Sequence, residues 1–224
     1  MPDCCRIKHG LAASSETIDR QEGPLRKSAL VTIVLSLPLL LVAFASAQQG
    51  DAMIGFGTVM SPGAAQCNFN TGCPEKSGLY PNLGADVIFH KRMGIGFDVA
   101  WRGSQGTYGG VGGIPYRPIL FDFNGVYQPK IGKKAGLDLM GGIGWQSTRF
   151  YSGTYSCSYF NCINYTSSNH FLVDLGGGLR YYFWHHAFIR PEAHYYWINN
   201  NTADFTSNNV LRVGASIGYT IGPD

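Results

Sequence analysis

The sequence predicts an all-β chain, an eight-stranded antiparallel up-and-down β-barrel whose apolar face lies outside. Three observations predict it. The first is period two: Phe171, Val173, Leu175, Gly177, Leu179, Tyr181 and Phe183 fall on one face, and Leu172, Asp174, Gly176, Gly178, Arg180 and Tyr182 on the other. Successive side chains of a strand point to opposite faces, so this alternation reads as β rather than helical. The second is the partition itself. The greasy face ends in aromatics, while the other carries charges and glycines, inverted relative to a water-soluble barrel and suited to lipid outside and a polar interior. The third is rhythm, because eight such segments are joined by connections that alternate long and short.

Length and composition agree. The 224 residues suit one large β domain or two small ones, and 30 glycines with 13% aromatic and only 14% charged residues favour a β-barrel over a helical domain. A net charge of +3 is too small to argue for nucleic acid, and no Lys/Arg cluster is interleaved with aromatics. Residues 1–47 read as an export signal with a long polar leader. Arg26 and Lys27 form its charged region, Ala29 to Phe44 its apolar core, and Ala45-Ser46-Ala47 the small-residue cleavage site. A transmembrane helix is the rival reading, but Pro38 interrupts a run that is short for a bilayer. Cys4 and Cys5 would leave with the signal. The domain then spans residues 48–224.

The strands follow in order. Asp51 to Met60 is the first, and Ser61 to Ser77 a loop. Gly78 to His90 contains the second, with Leu83, Ala85, Val87 and Phe89 opposing Gly84, Asp86, Ile88 and His90. A "KR" turn leads to the third, Met93 to Arg102, in which Ile95, Phe97, Val99 and Trp101 oppose Asp98 and Arg102. "GSQGTYGGVGGIP" reads as a glycine-rich loop without periodicity; no Lys or helix follows it, so it is no phosphate loop. Tyr116 to Gln128 is the fourth, with Asp122 and Asn124 on the polar face. "PKIGKKAG" turns the chain into the fifth, Leu137 to Tyr151, where Asp138 opposes Leu139. Ser152 to Ser168 reads as a Ser/Asn/Tyr loop. The sixth strand is the alternating run already described, and "HH" turns into the seventh, in which Ile189, Ala193, Tyr195 and Trp197 oppose Arg190, Glu192, His194 and Tyr196. The eighth sets Leu211, Val213, Ala215, Ile217 and Tyr219 against Arg212, Gly214, Ser216 and Gly218.

With this rhythm, Gly/aromatic texture and export signal, the chain from about Asp51 to Tyr219 resembles the small eight-stranded outer-membrane barrels of the OmpA/OmpX type, within the outer membrane β-barrel domain family. The resemblance implies short periplasmic turns, long outer loops and an outer-membrane location in a Gram-negative-type bacterium. One departure stands out: such barrels usually end on an aromatic residue, whereas "TIGPD" follows the outward Tyr219.

Four cysteines remain after the signal, Cys67, Cys73, Cys157 and Cys162, as two local pairs in polar segments. An exported chain with an even count suggests two loop disulfides; zinc is the rival, but the C-x5-C and C-x4-C spacings are loose and no His sits beside either pair. No metal and no cofactor is expected.

Inward charges recur at Asp86, Asp98, Arg102, Asp122, Asp138, Asp174, Arg180, Arg190, Glu192 and Arg212, joined by His194. Unpaired buried charge is costly, so these residues should pair across the lumen. Arg190, Glu192, His194 and Arg212 fall on adjacent strands. A gated ion path is the sharper alternative. The outward Trp101, Tyr127, Trp145, Tyr151, Tyr181, Phe183, Trp184, Tyr195 and Trp197 read as membrane-interface girdles. A Ser216/His194/Glu192 hydrolase acting on lipid A is conceivable, but Ser216 would face a packed lumen and no matching motif is present. His185 and His186 read as turn residues, and His170 carries no special signal.

The expectation is a non-enzymatic outer-membrane barrel with a plugged polar lumen, monomeric, held by outer-membrane lipid and able to meet host or envelope surface molecules through its outer loops. The rivals are a small pore, the lipid A hydrolase and a secreted lipocalin-like carrier.

Overall fold

The computed structural model describes residues 49–64, 73–75, 77–90, 92–108, 113–158 and 161–222. Every described residue belongs to one compact unit within residues 44–224. The export signal and Cys67 lie outside the described residues.

Nine strands form among the described residues: β1 (Gln49–Met60), β2 (Tyr80–His90), β3 (Met93–Trp101), β4 (Gly106–Tyr108), β5 (Ile114–Tyr127), β6 (Ala135–Ser158), β7 (Asn161–Trp184), β8 (Ala187–Ile198) and β9 (Asn209–Ile221). Eight of them make the ring. The hydrogen-bonded order β3-β2-β1-β9-β8-β7-β6-β5 closes because β3 also pairs with β5. Every pairing is antiparallel. The ninth, β4, is a three-residue strand that lies along β5 from Tyr116 to Ile114. Closure matters because lipid offers no hydrogen-bond partner to a sheet edge.

Two segments read as loops are strands. The glycine-rich stretch after Arg102 contains β4 and the start of β5. Ser152 to Ser168 continues β6 and β7 as a two-stranded ribbon, with Tyr151 opposite Tyr165, a register shift, and then Cys157 opposite Cys162. Both faces of this ribbon are polar, so no apolar alternation marks it in sequence. Elsewhere the strands begin or end within a few residues of their sequence-read bounds.

The face assignment is decided by burial. Arg180, Arg190 and Arg212 are each no more than 2% exposed, whereas Ile217 is 57%, Leu175 65% and Ile54 64% exposed. The charges lie inside and the aliphatic side chains outside, which removes the soluble-carrier reading, since that fold hides its apolar face.

Glycine makes room for the inward charges. An eight-stranded barrel is only just wide enough for its own side chains. Across the strand pairs Asp86 faces Gly96, Asp98 faces Gly84, Asp122 faces Gly144, Asp174 faces Gly142, Arg180 faces Gly136, His194 faces Gly176, and Glu192 lies between Gly178 and Gly214. A Cβ at Gly176 would stand 2.7 Å from the His194 ring, and one at Gly178 2.9 Å from Arg190. The lumen is not polar throughout. Ile88, Val126 and Met140 form an apolar cluster toward the short turns, and Val59, Tyr80, Ala100, Leu120, Leu172, Tyr196, Ile198 and Val210 form another toward the long loops. The charges lie largely between these two layers.

Candidate functional site

The lumen is the densest polar constellation among the described residues. At its floor Arg180 on β7 reaches both sides of the ring. Its Nη1 donates to Asp51 Oδ2 at 2.6 Å and its Nη2 to Asp138 Oδ2 at 3.0 Å. Arg190 on β8 lies one layer higher, donating Nε to Glu192 Oε2 at 2.8 Å, with its Nη1 3.3 Å from both Asp86 and Asp138. Above it Arg212 on β9 lies 2.8 Å from Asp98 Oδ1 and 3.6 Å from Glu192 Oε1. The three arginines thus form a vertical series, each bridging carboxylates from different strands. The register demands such bridging where Asp51 sits directly opposite Asp86, and Arg180 reaches both; where Asp98 faces Asp122, Arg212 pairs with Asp98. Like charges facing each other repel unless a cation lies between them.

Neutral donors complete the network. Asn82 Nδ2 donates to Asp98 Oδ2 and to Glu192 Oε1, each at 3.2 Å. Asn124 Nδ2 donates to Asp122 Oδ1, and the Tyr196 hydroxyl reaches Asp122 Oδ2 at 3.4 Å. Asp174 lies 2.9 Å from His194 Nδ1. Asp122 and Asp174 are therefore met by amide, phenol and imidazole groups, while the ion pairs of Arg180, Arg190 and Arg212 go to other acids. Arg102 stands apart, at the loop end. It donates to the Tyr116 hydroxyl at 2.8 Å, and its guanidinium lies 5.1 Å from that ring's centroid.

Asp51 is not in the sequence-read charge set, although alternation from Met53 places it inward. Glu75 also escapes sequence reading, because loop position carries no periodicity. Its carboxyl is fully buried at the loop end, where it accepts from Gln146 Nε2 at 3.0 Å and the Tyr80 hydroxyl at 3.3 Å. Burial pushes the Glu75 carboxyl up to about 7, against the opposing pull of Gln146, Tyr80 and Arg102. The first long loop therefore dips a side chain into the barrel mouth, and Ser61 Oγ donates to the Glu75 carbonyl. A second loop joins it: Asn201 and Phe205, between β8 and β9, are buried, and Phe205 packs 5.3 Å from the Tyr116 ring. His170, given no signal in sequence, lies 2.8 Å from Asp204 of that loop and 3.0 Å from Ser168.

The hydrolase set does not assemble. Ser216 Oγ donates to Glu192 Oε1 at 3.1 Å, while His194 is turned to Asp174. A nucleophile needs its base within hydrogen-bond reach, and here the serine and the histidine are engaged by two different carboxylates.

Outside, Tyr127, Tyr181, Phe183 and Trp184 are exposed toward the short turns, and Trp145, Tyr195 and Trp197 toward the long loops; Trp101 and Tyr151 are half-buried. His185 and His186 occupy the turn between β7 and β8. Among the cysteines, Cys157 and Cys162 are joined across the ribbon, and Cys73 is disulfide-bonded.

Known proteins place this architecture. No curated protein sequence matches the chain. Among solved structures, the attachment invasion locus protein of Yersinia pestis superposes with a TM-score of 0.50 at 15% identity, covering 78% of this chain and 99% of its own. Neisserial surface protein A gives 0.52 at 9% identity, over 76% of this chain and 95% of its own. A major outer membrane protein from Thermus thermophilus gives 0.51 at 10% identity, over 77% of this chain and 99% of its own. These likenesses concern the fold. The family model for the outer membrane protein beta-barrel domain matches residues 35–218, beginning inside the run read as the signal's apolar core. An apolar wall around a charged lumen is the form that family takes in lipid, and the chain belongs to the outer membrane β-barrel domain family, a protein of the Gram-negative outer membrane.

Proposed function

We propose that this protein is a non-enzymatic barrel that stiffens the outer membrane and presents its outer loops to host or envelope surface molecules. The observation that carries the reading is the filled lumen. Arg190, Arg212, Tyr80, Tyr196, Phe188 and Phe205 are all essentially without exposure, and they occupy the space that a conducting path would need. A plugged lumen leaves the outside of the molecule to do the work.

What the outside offers is the β6–β7 ribbon. It continues past the barrel as paired strand, closed near its tip by the Cys157–Cys162 bridge. The Arg149 guanidinium lies 4.8 Å from the Tyr165 ring centroid, and Tyr151 packs 5.9 Å from Tyr165 at its base. A stiff ribbon loses little conformational entropy when a partner binds it. The chain acts as a monomer in outer-membrane lipid, with its exposed aromatics at the two interfaces.

The test is cell adhesion. Cells expressing the full chain are compared with cells whose residues 152–166 are replaced by a short Asn-Gly turn. Lost adhesion with unchanged heat-modifiable mobility on gels supports the reading; unchanged adhesion sinks the loop role. Planar bilayers containing the folded chain should stay electrically silent, and single-channel steps would make it a pore instead.

A further inference from the structure

The short-turn end of the barrel, which in outer-membrane barrels faces the periplasm, opens into a cavity of about 670 Å³. The charge of its lining is lopsided. Arg92 comes from the β2–β3 turn, Lys130, Lys133 and Lys134 from the β5–β6 turn, and Arg180 from the floor. Among the described residues the lining holds a single carboxylate, that of Asp138, and its Oδ2 is taken up by Arg180 at 3.0 Å and Arg190 at 3.3 Å. The four rim cations are solvent-exposed, and neither turn carries an acid among its described residues. They therefore set an uncompensated positive field across the opening, and a cleft with low-dielectric walls focuses such a field.

The floor supplies a second observation. Arg180 is 2% exposed, yet its Nε–H has no hydrogen-bond partner among the described residues. Among the same residues Arg102 and Arg212 leave their Nε–H unmet as well, but of the three only Arg180 lines this cavity. The amides of Gln49 and Gln128 on the same lining are turned to the Asp51 carboxylate behind it, at 2.9 Å and 3.3 Å, so the rim cations are the groups left to meet a ligand. Thr220 and Tyr182 also share a hydroxyl contact at 3.2 Å, which holds the phenol at the cavity edge. Three ammonium groups and a guanidinium around one hollow suit a compact, multiply charged oxyanion with acceptors on all sides, which describes phosphate better than the flat carboxylate.

We infer that this vestibule is a binding site for a phosphate-bearing ligand, entered from the short-turn end and held by Arg92, Lys130, Lys133 and Lys134. Phosphate of this kind reaches the site either free in the aqueous space or on the headgroup of an anionic phospholipid in the adjoining leaflet. The chemistry is the same for both. The site is independent of the ribbon, so its failure would leave the adhesion reading untouched.

The experiment uses the full mature chain. In detergent, inorganic pyrophosphate is titrated while amide resonances of residues 92 and 130–134 are followed. In nanodiscs, phosphatidylcholine bilayers with and without phosphatidylglycerol are compared by the same resonances. The variant Lys130→Gln/Lys133→Gln/Lys134→Gln alters only exposed turn residues, and its heat-modifiable mobility checks that the barrel is intact. Saturable pyrophosphate binding, weakened roughly tenfold or more in the variant, supports the site with a free ligand. Shifts that appear only with phosphatidylglycerol, and vanish in the variant, support it with a lipid headgroup. No saturable response to either probe, or a response the variant leaves undiminished, overturns it.

Discussion

Arg180 Nη1 stands 2.6 Å from Asp51 Oδ2, joining β7 to β1 across the lumen although the two strands share no ladder. The same carboxylate accepts from Thr220 Oγ1 at 2.7 Å. Asp51 is therefore a junction of three strands near the first residue of the barrel. Asp51→Ala should destabilise the folded barrel by about 3 kcal/mol, because it leaves a buried guanidinium short of one anion. Asp51→Asn keeps an acceptor and should cost less. Urea unfolding of the chain reconstituted in lipid vesicles measures both; equal, small losses would mean that Asp138 alone satisfies Arg180.

Glu75 gives the barrel mouth a pH dependence of definite sign. Its folded carboxyl titrates at about 7 against an ordinary 4.5, so the folded state holds more protons than the unfolded between those values. Stability from this group is fully present below about 4.5 and is lost as the pH rises to about 7, by at most about 1.4 kcal/mol per pH unit. Hydrogen exchange of residues 73–80 should accordingly slow as pH falls through this window, after correction for intrinsic exchange. Glu75→Gln keeps the contacts to Gln146 and Tyr80 neutral and should flatten the profile; an unchanged profile would place the titration elsewhere.

The Cys157–Cys162 bridge closes a short segment at the ribbon tip, far from the ring. Cys157→Ser with Cys162→Ser should leave the barrel's unfolding free energy unchanged within about 0.5 kcal/mol. What changes is the ribbon. Limited proteolysis should cut between residues 150 and 168 several-fold faster than in the parent chain, while the barrel core resists.

Two inward glycines of β6 separate close approach from mere flexibility. A Cβ at Gly144 would meet the Phe121 carbonyl oxygen, and one at Gly142 the Phe123 carbonyl oxygen, both on the paired β5 backbone. Gly144→Ala should force the strands apart and cost about 1–3 kcal/mol. Gly153→Ala, with open space around it, should cost little. Yield of the heat-modifiable form separates the two, and equal yields would show that β5 and β6 give way.

Much of this molecule is legible as pattern. Period two with charges on one face assigns the lumen side of Asp86, Asp138, Arg190 and Arg212 without any coordinates, because a strand has no other way to distribute its side chains. Asp51 obeys the same alternation but escapes it, because Met53 and Val59 share its inward face and leave the two faces of β1 without a polar contrast. The β6–β7 ribbon escapes for the opposite reason. With water on both faces, nothing selects apolar residues on either, and its pairing leaves no periodic trace.

By itself, then, the sequence determined the strand rhythm, the eight-membered ring and the sign of each face, since all three follow from local backbone geometry and solvent. Only the tertiary structure decided that Arg180 meets Asp51, that Glu75 bends into the mouth, that Ser216 and His194 face different partners, and that lysines of one turn share a hollow with Arg92 of another. Those contacts join residues far apart in the chain, and they depend on the stagger and curvature with which the sheet closes, which no local spacing encodes.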